Sequence, residues 1–245
     1  MKHGRIKKDK VGLILFSLGI IILMIIFTAT VWSDFEALNL DRMYLRRPAL
    51  TNLRCPIFIN SVEESNISIK ITNRTDIVTR PSLTTLITQS TLSFLNRERT
   101  GLKIQPGETQ IITRNIYPED AVFGNMILVK AMLDNPYPTP DKQSVCGVYL
   151  VNISFMTGKQ ISFTLFSFSL LSIIGGMFLY INDHKPLAGK FRQKAIILIS
   201  IAIGILVFLF ISNIGFWLIG FFGYFFVVIA LLNLLLGDRV LTIED

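Results

Sequence analysis

Two cysteines, Cys55 and Cys146, and two pairs of neighbouring acids, Glu63-Glu64 and Glu119-Asp120, are the candidates for chemistry in this 245-residue chain. A thiol nucleophile needs a base beside it, usually histidine. Both histidines, His3 and His184, lie outside the stretch between the cysteines, in basic segments. The same absence excludes Ser-His-Asp catalysis in that stretch and removes the commonest ligand of a copper or zinc site. Paired carboxylates could work as general acid and base. Neighbours on a strand face opposite ways, however, and turns are commonly acidic, so turn chemistry is the expected role. No phosphate-binding glycine loop or metal-ligand spacing occurs. The expectation is therefore no catalytic residue, no cofactor, no metal and no small-molecule substrate.

What the cysteines do depends on their compartment, and charge placement decides that. Hydrophobic residues make up 51% of the chain and charged residues 17%, below the usual quarter, which favours membrane spans. The charges fall in an N-terminal tail, a central segment, a short loop near position 188 and the C-terminal tail. The densest basic runs flank apolar stretches, so the net charge of +7 reads as topology and not as a nucleic-acid surface.

Residues 1–10 form a cytoplasmic basic tail carrying Lys7, Lys8 and Lys10, and residues 11–32 a first span ending at the interfacial Trp32. Its apolar run exceeds the 7–15 residues of a signal peptide, so an uncleaved anchor is preferred over a cleaved leader. Residues 33–160 are extracytoplasmic, 161–181 a second span, 182–194 a cytoplasmic basic loop with Lys185, Lys190, Arg192 and Lys194, 195–212 a third span, 216–236 a fourth and 237–245 a cytoplasmic tail. Arg42, Arg46 and Arg47 stand outside in this scheme but are diluted by Asp34, Glu36 and Asp41. Both termini are then inside, and the lipid bilayer is the first partner.

Within the outer segment the pattern has period two. Ile67, Ile69 and Ile71 alternate with Ser68, Lys70 and Thr72, as in a strand with one buried face. Asn73-Arg74-Thr75-Asp76, Arg80-Pro81-Ser82 and Gln105-Pro106-Gly107-Glu108 supply turns. Strands are expected at 55–60, 67–72, 83–90, near Leu102, and at 109–116, 127–133 and 145–154, which is the spacing of a β-sandwich.

The run Leu102-Lys103-Ile104-Gln105-Pro106-Gly107-Glu108-Thr109-Gln110, following Ile67 to Asn73, resembles the strand and turn pattern of immunoglobulin-like or fibronectin type III-like domains of envelope proteins. The Trp that antibody-type domains carry between their cysteines is missing. The resemblance implies a domain that binds or spaces and does not catalyse. The fold class expected is thus α + β: four transmembrane helices with an immunoglobulin-like β-sandwich inserted between the first two.

Cys55 and Cys146 would lie on the oxidising side, where they are expected to pair; two buried free thiols are the alternative. A bridge closing so long a loop would contribute about 4–5 kcal/mol in the chain-entropy model. Within the spans, small residues recur at helical spacing: Ser169, Ser172 and Gly176 in the second, Ser200 and Gly204 in the third, Gly220 and Gly223 in the fourth. Their expected use is close helix packing within the chain. No ionisable residue interrupts a span, so no proton or ion path is indicated.

The segment Asn135-Pro136-Tyr137-Pro138-Thr139-Pro140-Asp141 should be an extended, stiff loop between the last two strands, with Pro136, Tyr137, Pro138 and Pro140 as candidate partner contacts. Asn66, Asn73 and Asn152 open glycosylation sequons. The functional expectation is a non-enzymatic, membrane-anchored binding or scaffolding protein, an accessory subunit of a larger envelope complex whose partners are other membrane or envelope proteins. A transporter or channel component using helices 2–4, or an extracytoplasmic enzyme, are the alternatives.

Overall fold

The computed structural model describes residues 8–40, 48, 50, 52–153, 155–184, 189–213, 219–220, 222–223 and 225–230. The described residues form an α + β chain with two sheets and three helices long and apolar enough to cross a membrane. Helix α1 is Lys8–Leu38, α2 is Gly158–Asp183 and α3 is Gly189–Asn213. Of the expected fourth span, residues 219–220, 222–223 and 225–230 are helical, and the remainder lies outside the described residues. Residues 185–188 of the basic loop also lie outside them. Helix α1 does not stop at Trp32 but continues to Leu38.

Two compact units divide the chain, one holding Ala29–Ser162 and the other holding the earlier part of α1 with Phe163–Phe210. In the first, β1 (Leu53–Arg54), β3 (Ser65–Thr72) and β6 (Thr109–Ile116) form a three-stranded sheet in the order β1-β3-β6. A five-stranded sheet runs β2-β8-β7-β4-β5, with β2 at Phe58–Asn60, β4 at Ser82–Gln89, β5 at Thr91–Gly101, β7 at Met126–Asp134 and β8 at Lys142–Val151. All pairings are antiparallel except β2 with β8. Ile67, Ile69 and Ile71 from the small sheet meet Leu83, Ile87, Ile127, Val129, Ala131 and Leu133 from the large one in a common core. Burying such side chains stabilises by roughly 1.5–3 kcal/mol each.

Strand β7 is buried on both faces. Its odd-numbered residues fill the core between the sheets, while Met126 and Leu128 pack under Ala37 and Leu40 at the end of α1. That is why Met126 to Leu133 is apolar at every position but Lys130 and does not alternate.

The strand expected at 55–60 is instead two short ones, with Cys55 in the connection between them. The short strand expected near Leu102 is replaced by β5, which ends at Gly101. The 135–141 loop is not extended. Thr139 N–H donates to Pro136 O at 3.1 Å, Asn135 Nδ2 to Pro140 O at 2.7 Å and Asn135 N–H to Asp141 Oδ1 at 2.8 Å, which fold it into a closed turn with a cis Tyr137–Pro138 bond.

In the second unit, Phe16, Ile20 and Leu23 of α1 cluster with Ile173 of α2, with Leu198, Ile201 and Ile205 of α3, and with Val227. Glycines bring α1 and α2 together. A Cβ on Gly176 would lie 2.5 Å from Gly12 O and 2.5 Å from Phe16 N, and one on Gly19 would lie 2.7 Å from Ser169 O.

Candidate functional site

One acid of each pair is a structural ligand of the backbone. Glu63 Oε2 accepts from Gly158 N–H at 2.6 Å and from Asn60 N–H at 3.3 Å, so its charge sits at the N-terminal end of α2, where anions are favoured. Thr157 and Gln160 complete that end: Gln160 N–H donates to Thr157 Oγ1 at 3.3 Å and Thr157 N–H to Gln160 Oε1 at 2.9 Å, a reciprocal capping box. Asn60 Nδ2 holds the carbonyls of Ile153 at 2.5 Å and Met156 at 2.8 Å, fixing the approach to the helix. Glu64 is exposed beside it. Asp120 is buried in the short 3-10 helix Pro118–Asp120 and accepts from Tyr117 N–H at 2.8 Å. Burial lifts its carboxyl above the ordinary value, the Tyr117 N–H opposes this, and the neighbouring Glu119 adds to it.

A second ionic cap sits at the other helix end. Lys130, fully buried in mid-β7, donates from Nζ to Leu40 O at 2.6 Å, just past the C-terminus of α1 where cations are favoured. The helix tightens there, with Asn39 N–H reaching Glu36 O and Leu40 N–H reaching Ala37 O. Charges of opposite sign therefore hold the last turn of α1 and the first turn of α2 within the sheet unit, each matched to its end of the helix dipole. Asp34 adds a further tie by accepting from Gly147 N–H at 3.1 Å.

Cys55 and Cys146 are joined in a disulfide, with Cα atoms 6.5 Å apart and a sequence separation of 91. The bridge packs against the core between the sheets and lines a small cavity of about 50 Å³ shared with Thr30, Asp34 and Gly147.

A cleft of about 200 Å³ opens at the end of the sandwich where β3 and β7 finish and β8 starts. It is the opposite end of β8 from the one that leads into α2. Lys70, Arg74 and Lys142 line it together with Thr72, Thr75, Thr139, Asn52 and Asn135, over a floor of Ile71, Ile104 and Leu133. No carboxylate of the described residues does so. Pro136 and Thr139 of the 135–141 turn form part of its wall, and Tyr137 at the tip is 99% exposed. Pro138 belongs to the same turn, and Pro140 accepts from Asn135.

Of the small residues in the helices, Ser169 is buried and donates from Oγ to Gly19 O at 2.7 Å. Ser172 is buried, and Gly176 lies against Gly12 and Phe16. Gly220 is buried, and a Cβ on Gly223 would fall on the Phe208 ring. In the third helix, Ser200 is exposed and a Cβ on Gly204 would meet nothing within 4 Å among the described residues. Among the sequons, Asn73 is buried, with Nδ2 donating to Ile77 O and Ile104 O, whereas Asn66 and Asn152 are exposed.

The cleft cations and Lys130 were not singled out in the sequence. Lys70, Arg74 and Lys142 lie on separate strands and turns, with no spacing to unite them. Lys130, a charge in the middle of an apolar strand, was a usable signal.

No family model matches the sequence, and no curated protein matches it. Among solved structures, red sea bream transglutaminase is similar over 41% of this chain and 16% of its own, at 16% identity and TM-score 0.34. The CARDB domain of PF1109 from Pyrococcus furiosus is similar over 41% of this chain and 90% of its own, at 14% identity and TM-score 0.32. A Bacteroides uniformis beta-glucuronidase is similar over 40% and 12%, at 15% identity and TM-score 0.30. The chain thus spans only a small part of the two enzymes, and likenesses this loose carry no argument about activity.

Proposed function

We propose that this chain is a membrane-anchored binding or scaffolding protein, an accessory subunit of a larger cell-envelope complex. In this reading four spans place both termini in the cytoplasm and residues 33–160 outside, as an immunoglobulin-like sandwich. The observation that carries it is Tyr137: a large amphipathic side chain, fully exposed, on a turn closed by its own hydrogen bonds whose Pro136 and Thr139 wall the cation-lined cleft. A rigid turn loses little freedom on binding, and an exposed tyrosine is an effective anchor. The capping roles of Glu63 and Asp120 support the same reading, because these carboxylates are engaged with backbone N–H groups.

The test is gentle detergent purification from the native host and identification of co-purifying chains. Tyr137→Ala should reduce recovery of the partner several-fold while the protein stays folded. If replacing Glu64 or Glu119 alone abolishes function with folding and partner recovery intact, an extracytoplasmic enzyme is the better account. Topology is tested separately by engineered single cysteines in a background lacking Cys55 and Cys146: labelling at position 188 from outside intact cells would overturn the orientation.

A further inference from the structure

Among the described residues, the cleft beside Tyr137 contains an open strand edge. Along β3, Asn73 N–H donates to Glu108 O on the β6 side, whereas Lys70 N–H donates to Asn52 O on the β1 side. In an antiparallel ladder these directions alternate residue by residue, so the N–H and C=O of Thr72 are directed, like those of Lys70, away from β6. Strand β1 begins only at Leu53, paired with Ile69, and continuing that register sets Leu50 opposite Thr72. Leu50 is committed elsewhere. Its N–H donates to Gln143 O at 2.7 Å, and Gln143 N–H donates to Pro48 O at 2.9 Å. The chain thus leaves the large sheet after Leu50 and joins the small sheet at Asn52. The Thr72 edge is left without a backbone partner among the described residues.

Three cationic side chains surround this edge. Lys70 and Arg74 flank Thr72 in sequence, and Lys142 stands across the cleft at the start of β8. The nearby Asp141 carboxylate is already an acceptor for Asn135 N–H.

We infer that the cleft binds an extended acidic peptide segment, which adds as a short strand to the Thr72 edge of β3 and places its carboxylates against Lys70, Arg74 and Lys142. Strand addition supplies affinity through main-chain hydrogen bonds, and pockets along the edge supply selectivity. Ile71, Ile104 and Leu133 on the floor would take an apolar side chain of the peptide, on the face opposite its acids. The inference rests on the binding-module reading and specifies its ligand chemistry.

The experiment uses the full chain in lipid nanodiscs and fluorescence anisotropy of labelled peptides. The probe is a capped hexapeptide alternating Glu and Val. Its controls are the Lys-for-Glu counterpart and two versions N-methylated on alternate amides, one for each strand edge. The acidic peptide should bind and the lysine peptide should not. Arg74→Glu and Lys142→Glu should each weaken binding about tenfold, and the affinity should fall with added salt. At least one methylated version should lose binding. The inference is overturned if the acidic peptide does not bind, if both methylated peptides bind as well as their parent, or if the charge reversals, with unchanged melting, leave the affinity unaltered. Partner recovery with Tyr137→Ala separates the two ideas: a partner lost in that variant, with no acidic-peptide binding, would leave the binding module standing and remove this ligand.

Discussion

The ammonium of Lys130 donates to the carbonyl oxygen of Leu40 at 2.6 Å, and the lysine has no exposure to solvent. The carbonyl lies just beyond the last turn of α1, and the lysine rises from a strand whose other neighbours are apolar. A charge in that position is costly unless its hydrogen bonds are made, so removing it leaves the carbonyl buried and unsatisfied. Lys130→Met should lower the unfolding free energy by about 1–3 kcal/mol, read as a thermal or denaturant midpoint of the protein in detergent. An unchanged midpoint would show that the cap carries no net stability.

Glu63 performs the opposite service for α2. Glu63→Ala leaves Gly158 N–H and Asn60 N–H without their carboxylate and should cost about 1–2 kcal/mol, in the range of a lost helix cap. Glu64→Ala, one residue along and exposed, should change stability by less than about 0.5 kcal/mol. Gly158→Ala should be worse than Glu63→Ala, because its Cβ would fall on the Phe58 carbonyl, which is backbone and not free to swing away. Equal effects of the two glutamate substitutions would contradict this account.

Asp120 makes stability depend on pH in a definite direction. Its folded-state carboxyl is raised above the ordinary 3.8, chiefly by burial. A raised group favours the fold fully below its unfolded value, and that contribution is lost as pH rises through the folded value. Asp120→Asn keeps an oxygen for Tyr117 N–H and removes the ionisation. Wild-type stability, compared with Asp120→Asn across pH, should therefore fall from acid toward neutral pH and then level off. A flat difference, or one of opposite slope, would rule it out.

Much of the sheet unit was legible because its signals were local. The alternation of Ile67, Ile69 and Ile71 gave β3, and the Gln105 to Glu108 turn closes as its residues require, with Gly107 at φ +72° and Glu108 N–H on Gln105 O. The absence of charge over long runs gave the three apolar helices. Strand β5 escaped because, at the sheet edge, Asn96 to Arg99 are all exposed and show no apolar period. Proline content suggested an extended 135–141 loop, whereas the hydrogen bonds of Asn135 and Thr139 set its shape. The cleft escaped for a different reason. It exists because the chain changes sheets between Leu50 and Asn52, a crossing that no residue type announces, and its cations meet only once the strands are ordered.

The helices offer a comparison that separates a small residue needed for packing from one that merely fits the pattern. Gly176 and Gly204 are both helical glycines in apolar segments, each four residues after a serine, Ser172 and Ser200 respectively. At Gly176 the added Cβ would lie 2.5 Å from the backbone of Gly12 and Phe16, atoms that cannot rotate aside, whereas at Gly204 it would meet nothing within 4 Å. Close backbone approach of this kind is what holds helices together where lipid provides no hydrophobic contrast. Gly176→Leu should therefore separate α1 from α2 and lower the detergent melting temperature or the yield of folded protein, with cysteine cross-linking between the two helices reduced. Gly204→Leu should leave all three readouts near wild type. If both substitutions were tolerated equally, the α1–α2 contact would not be the packing interface described; if Gly204→Leu alone were damaging, the third-helix surface would have to carry a contact that the described residues do not supply.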